Sequence, residues 1–411
     1  MSNYIKIDEI MDNDRYRRET ENFIDSLRSS PVDGRKVPRI TFYNWRDILN
    51  QYAGGAEKYC YEMAWRLARD GYQITWISSG AKGLPRKSNF KGINIIRIGN
   101  IFTVFFLSLF RSRKIHKNEV IVDSVNAIPF FDNPLAKKVV LIHHFVPFQV
   151  LKEKLGYLAP FAFFFQNVFN PIFYGTKKVI TVSDSTMKEL ISYGYKDPKV
   201  VKLGTDMFDN SLERKKNIIV APGPLRPWKN HYHIIKAFSA IPEEYKLIIF
   251  GNPETLQYEA ALRQLASDMG LSDRVEFLGK ITEETKNDIY RESKFAVFAS
   301  AKEGWGLSCI EAQAFSCPVV AYDVSGIRDS VRQNETGLLV EYLNIQALSN
   351  AMLKLINDDS LYNKLSIGAY KWARSMDWDA CYMDFLDKTD LIETQIEKVS
   401  KDPVPVLSLL K

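Results

Sequence analysis

Short, continuously apolar stretches alternate with amphipathic ones along this chain, and the whole pattern runs through twice. In the first pass Arg39-Ile-Thr-Phe-Tyr-Asn-Trp45, Gln73-Ile-Thr-Trp-Ile-Ser78, residues 93–98, 120–125 and 138–143, and Lys178-Val-Ile-Thr-Val182 read as strands. Each is short and rich in β-branched or aromatic residues. Between the first two, residues 56–69 set Cys60, Met63, Ala64, Leu67 and Ala68 on one helical face. The rhythm restarts after Asp206 with five more strands, at residues 217–221, 245–250, 274–278, 295–299 and 318–322. Strands apolar on both faces and separated by helices predict parallel sheets covered on both sides, so the expected class is α/β with two doubly wound domains in series. The chain's 411 residues suffice for two such cores. The expected divisions are an extension over 1–36 with one helix around 15–27, a first domain over 37–208, a second over 209–378, and a helix and tail over 379–411. That last helix, residues 380 to about 398, carries Tyr382, Phe385, Leu386, Ile392 and Ile396 at helical spacing and needs an apolar surface to pack on.

Several function classes fall away. Cys60, Cys309, Cys317 and Cys381 form no C-x-x-C pair and stand near no histidines at ligand spacing, so a disulfide framework and a zinc site are unsupported and a reducing cytoplasm fits best. The first twenty residues lack the apolar stretch of a secretory signal. The longest apolar-rich run, residues 101–110, is half of the ~20 residues that span a bilayer. Charge is unevenly spread: residues 35–178 hold 22 Lys or Arg against 8 Asp or Glu, an excess of 14, while the whole chain carries only +6. One basic and one acidic half point to an anionic partner for the first, among nucleic acid, a phosphorylated substrate and a membrane surface. A basic face that serves only solubility is the plain alternative.

In open α/β sheets ligands bind beyond the carboxyl ends of the strands, so the strand-to-helix loops carry the chemistry. The first, Gln51-Tyr-Ala-Gly-Gly-Ala-Glu57, puts Gly54 and Gly55 directly before a helix, where bare amides can meet an anion or simply turn tightly. The second begins at His143-His144. In the third, Gly223-Pro-Leu-Arg-Pro-Trp-Lys-Asn230, the cations Arg226 and Lys229 stand beside a helix N-terminus, an arrangement suited to phosphate. The fourth, Glu303-Gly-Trp-Gly-Leu-Ser-Cys-Ile-Glu311, is the most specific: Gly304 and Gly306 free the backbone, while Glu303 and Glu311 offer acceptors for hydroxyls of a ribose or a sugar. The fifth, Ser325-Gly-Ile-Arg-Asp329, is a weaker signal of the same style.

The order G-G-A-E, strand-end histidine, V-S-x-S, G-x-L-x-P-x-K, E-G-x-G-L-x-x-x-E and N-E-T-G-L-L-V resembles a retaining GT-B glycosyltransferase of the family 4 type over about residues 38–395. The resemblance implies two Rossmann-like domains facing a cleft, with the C-terminal helix packing back toward the first. It implies Lys229 and Arg226 on the donor pyrophosphate, Glu311 on the ribose, Glu303 on the transferred sugar, and His143 near its reacting face. Gly55, Gly223, Gly304 and the amides of Gly306, Leu307 and Ser308 would complete the donor site. Pro224 stands where the family usually has Arg, and Asp329 where it more often has Glu.

The donor implied is a nucleotide-diphosphate sugar, UDP- or GDP-linked, and no metal cofactor is expected, since cations and helix dipoles can stabilise the departing diphosphate. Two D-x-D strings, Asp12-Asn-Asp14 and Asp377-Trp-Asp379, lie at no strand end and read as surface acids. The stretches holding Phe102, Phe105, Phe106 and Phe110, then Phe161, Phe163, Phe164, Phe165, Phe169 and Phe173, are aromatic and stand on the basic half, with Arg111, Arg113, Lys114 and Lys117 following the first. They suit either an anionic membrane surface, with a lipid-linked or glycan acceptor and a place at the inner face of the cell membrane, or core helices. Nucleic acid is not the expected partner. A GT-B sugar-nucleotide epimerase and a non-catalytic nucleotide-sugar-binding protein are the competing readings.

Overall fold

The computed structural model describes residues 39–112, 119–125, 130, 137–142, 151–152, 156–174, 177–206 and 215–391. The extension over 1–36 with its predicted helix, Asp12 and Asp14, and the tail beyond 391 lie outside them.

Two sheets form, as the doubled pattern predicts. The first joins β1 (Arg39–Tyr43), β2 (Gln73–Ser78), β3 (Lys87–Phe90), β4 (Ile93–Arg97), β5 (Glu119–Val125), β6 (Lys137–Ile142), β7 (Lys178–Thr181) and β8 (Lys199–Val200) in the order β3-β4-β2-β1-β5-β6-β7-β8. Only the β3–β4 pair is antiparallel. Ile40 lies between Ile74 and Val120 in register, and all three are buried, which is why β1 is apolar on both faces. The second sheet joins β9 (Ile218–Pro222), β10 (Lys246–Phe250), β11 (Val275–Gly279), β12 (Phe295–Phe298), β13 (Val319–Tyr322) and β14 (Gly337–Val340) in the order β11-β10-β9-β12-β13-β14, parallel throughout.

Strand order decides where a ligand can sit. The chain steps outward from β1 to β2, then returns to the other side of β1 with β5, and it repeats that move around β9 with β10 and β12. A crevice opens beyond the carboxyl ends of the strands where the order reverses. The loops after β1, β9 and β12 border these crevices, and they carry the first, third and fourth sequence motifs.

Helix α1 (Gly55–Arg69) buries Cys60, Met63, Ala64 and Leu67, the face its spacing predicts. The last described helix, Trp378–Lys388, is shorter than the predicted 380–398 and starts two residues sooner, because Asp377 caps it by accepting from the Ala380 amide at 2.7 Å. Ile392 and Ile396 lie outside the described residues. The helix crosses back to the first domain: Tyr382 donates to Asp70 (2.9 Å), Lys388 to the Val200 carbonyl (2.7 Å), and Arg66 to Asp379 (2.7 Å). Asp377 and Asp379 are thus a helix cap and an ion-pair partner. Partial burial disfavours the charge of Asp379, but Arg66 and Arg69 outweigh it and hold the carboxyl below its ordinary value.

Candidate functional site between the two sheets

The third and fourth loops are stitched to each other at the crevice of the second sheet. After β9 the chain makes a short 3₁₀ turn, Pro227–Lys229, and passes through Asn230, whose left-handed backbone (φ 52°) starts the helix His231–Phe238. The Asn230 side-chain amide donates to the Ala299 carbonyl (2.9 Å), and the Ala301 amide donates to the Trp228 carbonyl (2.8 Å). These two bonds bring the Lys229 ammonium onto the Glu303 carboxylate in a direct ion pair, with both side chains mostly buried. Ser300 donates to the same carboxylate oxygen (2.7 Å), and a side chain at Gly223 would begin 4.0 Å from the Lys229 nitrogen.

Gly306 caps the helix Leu307–Gln313 at φ 87°, and a Cβ there would stand 2.7 Å from the Ser330 hydroxyl. Gly326 is tighter still, because a Cβ would lie 2.2 Å from the Glu303 carbonyl. Only glycine lets the fourth and fifth loops touch. At the start of the Leu307 helix the Cys309 amide donates to the Gly306 carbonyl (2.9 Å), while an α-helix leaves its first amides without intrahelical acceptors.

The first domain closes over this point. A Cβ on Gly55 would meet the Leu307 side chain at 3.8 Å, so the glycine pair faces the fourth loop across the cleft. Gly54 donates to Glu57 (2.8 Å) and the Trp45 indole donates to the other Glu57 oxygen (3.1 Å), which holds the loop in place. Asp329 accepts from the Gly326 amide (3.1 Å) in its own domain and from the Ser185 amide (3.1 Å) in the other. That residue, the weakest of the loop signals, is a tie between the domains. Lys302 adds another by reaching Glu189 at 2.6 Å. Ser183 caps its helix by accepting from the Thr186 amide.

Glu303 and Glu311 do not share one spot. Glu311 lies 3.1 Å from Lys286 and 3.7 Å from Lys58, in a cavity of about 170 Å³ that is also lined by Thr205, Asp206 and Glu283. Burial works against the Lys58 charge, but Glu311 and Asp206 raise its affinity for a proton above the ordinary value. Both carboxylates therefore have lysine partners, which sequence spacing alone did not reveal. Hydroxyl acceptance is not the only reason for acids to stand near this turn.

Arg226 takes no part in the Lys229–Glu303 ion pair. Its guanidinium lies 5.3 Å from the Trp228 ring centroid, and its buried Nε has no hydrogen-bond partner. His143 and His144 follow β6 directly and lie outside the described residues. Three further residues stand in or next to these loops. Trp305 is buried with an unpartnered indole N–H, and His231 is buried with an unpartnered Nδ1. Burial first, and Lys229 second, push the His231 imidazole down to about 3, so it is neutral. Arg46, in the loop after β1, stacks 4.0 Å from the Trp45 ring centroid. An arginine three residues beyond the end of a parallel strand was the signal available for it.

The family described as "Glycosyltransferase Family 4" matches residues 53–207, and the one described as "Glycosyl transferases group 1" matches residues 204–372. A D-inositol 3-phosphate glycosyltransferase of Salinispora tropica is 29% identical over 185 residues, 43% of this chain and 38% of that protein's length. Among solved structures, sucrose-phosphate synthase of Thermosynechococcus elongatus superposes with a TM-score of 0.71 at 20% identity, covering 89% of this chain and all of that one. Anabaena HepE, solved in complex with UDP and glucose, gives 0.65 at 17% identity, covering 86% and 99%. At these identities the structural likeness establishes the shared fold.

Proposed function

We propose that this chain, which belongs to the GT-B glycosyltransferases of the group 1 and family 4 type, moves a sugar from a nucleotide-diphosphate sugar to an acceptor with retention of anomeric configuration. The observation that carries the reading is the convergence of Lys229, Glu303, Gly223 and the Leu307 helix N-terminus with Gly55 of the other domain. The leaving diphosphate gains negative charge on its oxygens, and Lys229 with the amides of Gly306 to Ser308 meets it there. Preorganised donors in a water-poor site stabilise such charge far more than water does. Glu303, already holding Lys229, accepts from a hydroxyl of the transferred sugar, and Glu311 accepts from the ribose after exchanging a lysine contact. His143, which lies outside the described residues, is the residue assigned in this reading to the sugar's reacting face. A UDP-linked donor is favoured over a GDP-linked one because HepE was solved with UDP.

The acceptor in this reading is lipid-linked, and the enzyme works at an anionic membrane surface in glycolipid or polysaccharide assembly. Its support is the exposure of large apolar side chains in both stretches: Phe102 is 67% exposed, Phe161 60% and Ile172 78%. Phe105 belongs to the core instead, packed on Phe130. Among the described residues no helix is long and apolar enough to cross a membrane, so contact through these side chains is peripheral.

Incubation with a panel of UDP- and GDP-sugars tests the reading. Slow release of nucleoside diphosphate without acceptor is the expected result, and it persists in EDTA because Lys229 and the amides already meet the diphosphate. An epimerised sugar nucleotide identifies the epimerase, and binding without turnover identifies a binding protein. The anomeric configuration of the product, read by NMR, decides retention.

A further inference from the structure

Glu303 is held from two sides. Its carboxylate pairs with Lys229 and accepts from Ser300, both within the second domain. Its backbone is set instead against the fifth loop: the Glu303 amide donates to the Ser325 carbonyl (3.0 Å), and a Cβ on Gly326 would come within 2.2 Å of the Glu303 carbonyl. The fifth loop is in turn gripped by the first domain. The helix Asp184–Ser192 sets Ser185 and Glu189 four residues apart, hence on one face. At its N-terminus Ser183 takes the Thr186 amide, which leaves the Ser185 amide for the Asp329 carboxylate (3.1 Å). One turn further on, Glu189 accepts from the Ser325 hydroxyl through one oxygen (3.4 Å) and from Lys302 through the other (2.6 Å). Lys302 directly precedes Glu303, so one helix face holds both the turn beside Glu303 and the chain that leads into it.

These contacts form a continuous path. The second oxygen of Asp329 holds the Gly326 amide (3.1 Å), which carries the grip of the first domain into the glycine that packs on Glu303. Glu189 and Lys302 are mostly buried, where a charge pair is screened less than at an open surface. Displacing a catalytic group by about 1 Å costs of order 10²-fold in rate. Contacts that add little to stability therefore have leverage on turnover.

We propose that Glu189, Lys302 and Asp329 are positioning residues for sugar transfer: the Asp184–Ser192 helix sets the place of Glu303 through the Ser325–Gly326 turn. Glu303 then takes its working position only when the first domain is seated on the second. The role of Glu303 itself rests on the glycosyltransferase reading.

Two measurements on the full chain test this, with wild type, Glu189→Gln, Lys302→Met, and the exchanged pair Glu189→Lys with Lys302→Glu. Hydrogen exchange over residues 300–306 reads the hold on Glu303 without any substrate. Glu189→Gln, a change in the other domain, is expected to speed exchange there about tenfold, and the exchanged pair to slow it again. Hydrolysis of a nucleotide sugar reads the consequence. In each single variant kcat falls about tenfold while UDP affinity, measured by calorimetry, stays within about twofold of wild type, and the exchanged pair recovers most of the lost rate. Unliganded melting midpoints show that each variant is folded. Unchanged exchange in Glu189→Gln, or wild-type kcat in both single variants, overturns the proposal. So does a fall in kcat that is matched by an equal loss of UDP affinity or that the exchanged pair fails to relieve, since either marks a general loosening of the cleft. A wild type that turns over no UDP- or GDP-sugar overturns the glycosyltransferase reading instead, and the exchange measurement still decides whether the helix holds Glu303.

Discussion

At the scale of single residues, Lys229 and His231 sit two positions apart and do opposite things. Lys229 pairs directly with Glu303 at the cleft. Lys229→Ala is expected to lower turnover of donor by of order 10²-fold, while the melting midpoint moves little, because Glu303 keeps the Ser300 hydrogen bond. Full activity in the variant removes Lys229 from the machinery. His231 faces the core and stays neutral down to about pH 3. An unfolded imidazole takes up its proton near 6.5, so between those values protons favour the unfolded chain and stability falls as pH falls, at up to about 1.4 kcal/mol per pH unit. His231→Gln lacks that term. The stability gap between the two proteins therefore shifts in favour of the variant on going from pH 7 to pH 4 in denaturant titrations, and parallel pH profiles would show that His231 titrates normally.

Among elements, the loop between β1 and α1 shows how a connecting segment is made rigid. Asp47 and Arg97 form an ion pair (2.7 Å) with 0% and 1% of their side chains exposed, and Arg97 also donates to the Pro85 carbonyl (2.7 Å) and Ser88 (3.0 Å). Arg97→Met strands the Asp47 charge and is expected to cost about 3–5 kcal/mol in unfolding free energy. Adding Asp47→Leu to it recovers part of that loss, because the uncompensated charge is gone. A double variant no more stable than Arg97→Met would place the cost in packing. Helices whose apolar faces follow i, i+3, i+4 spacing, such as α1, were legible from sequence. The antiparallel strand β3, Lys-Ser-Asn-Phe, was not, because an exposed edge strand has no continuous apolar run to betray it.

For the whole molecule, the two domains are held by a few polar ties at the cleft and by the Trp378–Lys388 helix, which belongs to the second domain in sequence and to the first in packing. The aromatic face formed by residues 156–174 lies on the first domain. If it meets a membrane, the protein sediments with liposomes of anionic lipid and much less with neutral ones, and added salt weakens the attraction, which is about 1 kcal/mol for each basic residue near the surface. Phe161→Ser with Phe164→Ser then reduces sedimentation while leaving donor hydrolysis intact. Wild type that stays in the supernatant with anionic liposomes at low salt removes the main support for a lipid-linked acceptor.

The alternation of apolar strands and amphipathic helices, the two-domain division and the loops holding Lys229, Glu303 and Gly55 were all readable in the residues themselves. Burial repeats every two or every three to four positions, and turns advertise themselves with glycine and proline, so these are local properties of the chain. Tertiary structure alone decided which loops face one another. It set Lys58 beside Glu311, 253 positions away, laid Arg226 against Trp228, and made Asp329 a bridge to Ser185. Those pairings depend on strand order and on how two independently folded sheets meet, and charge interactions act through space without regard to separation along the chain.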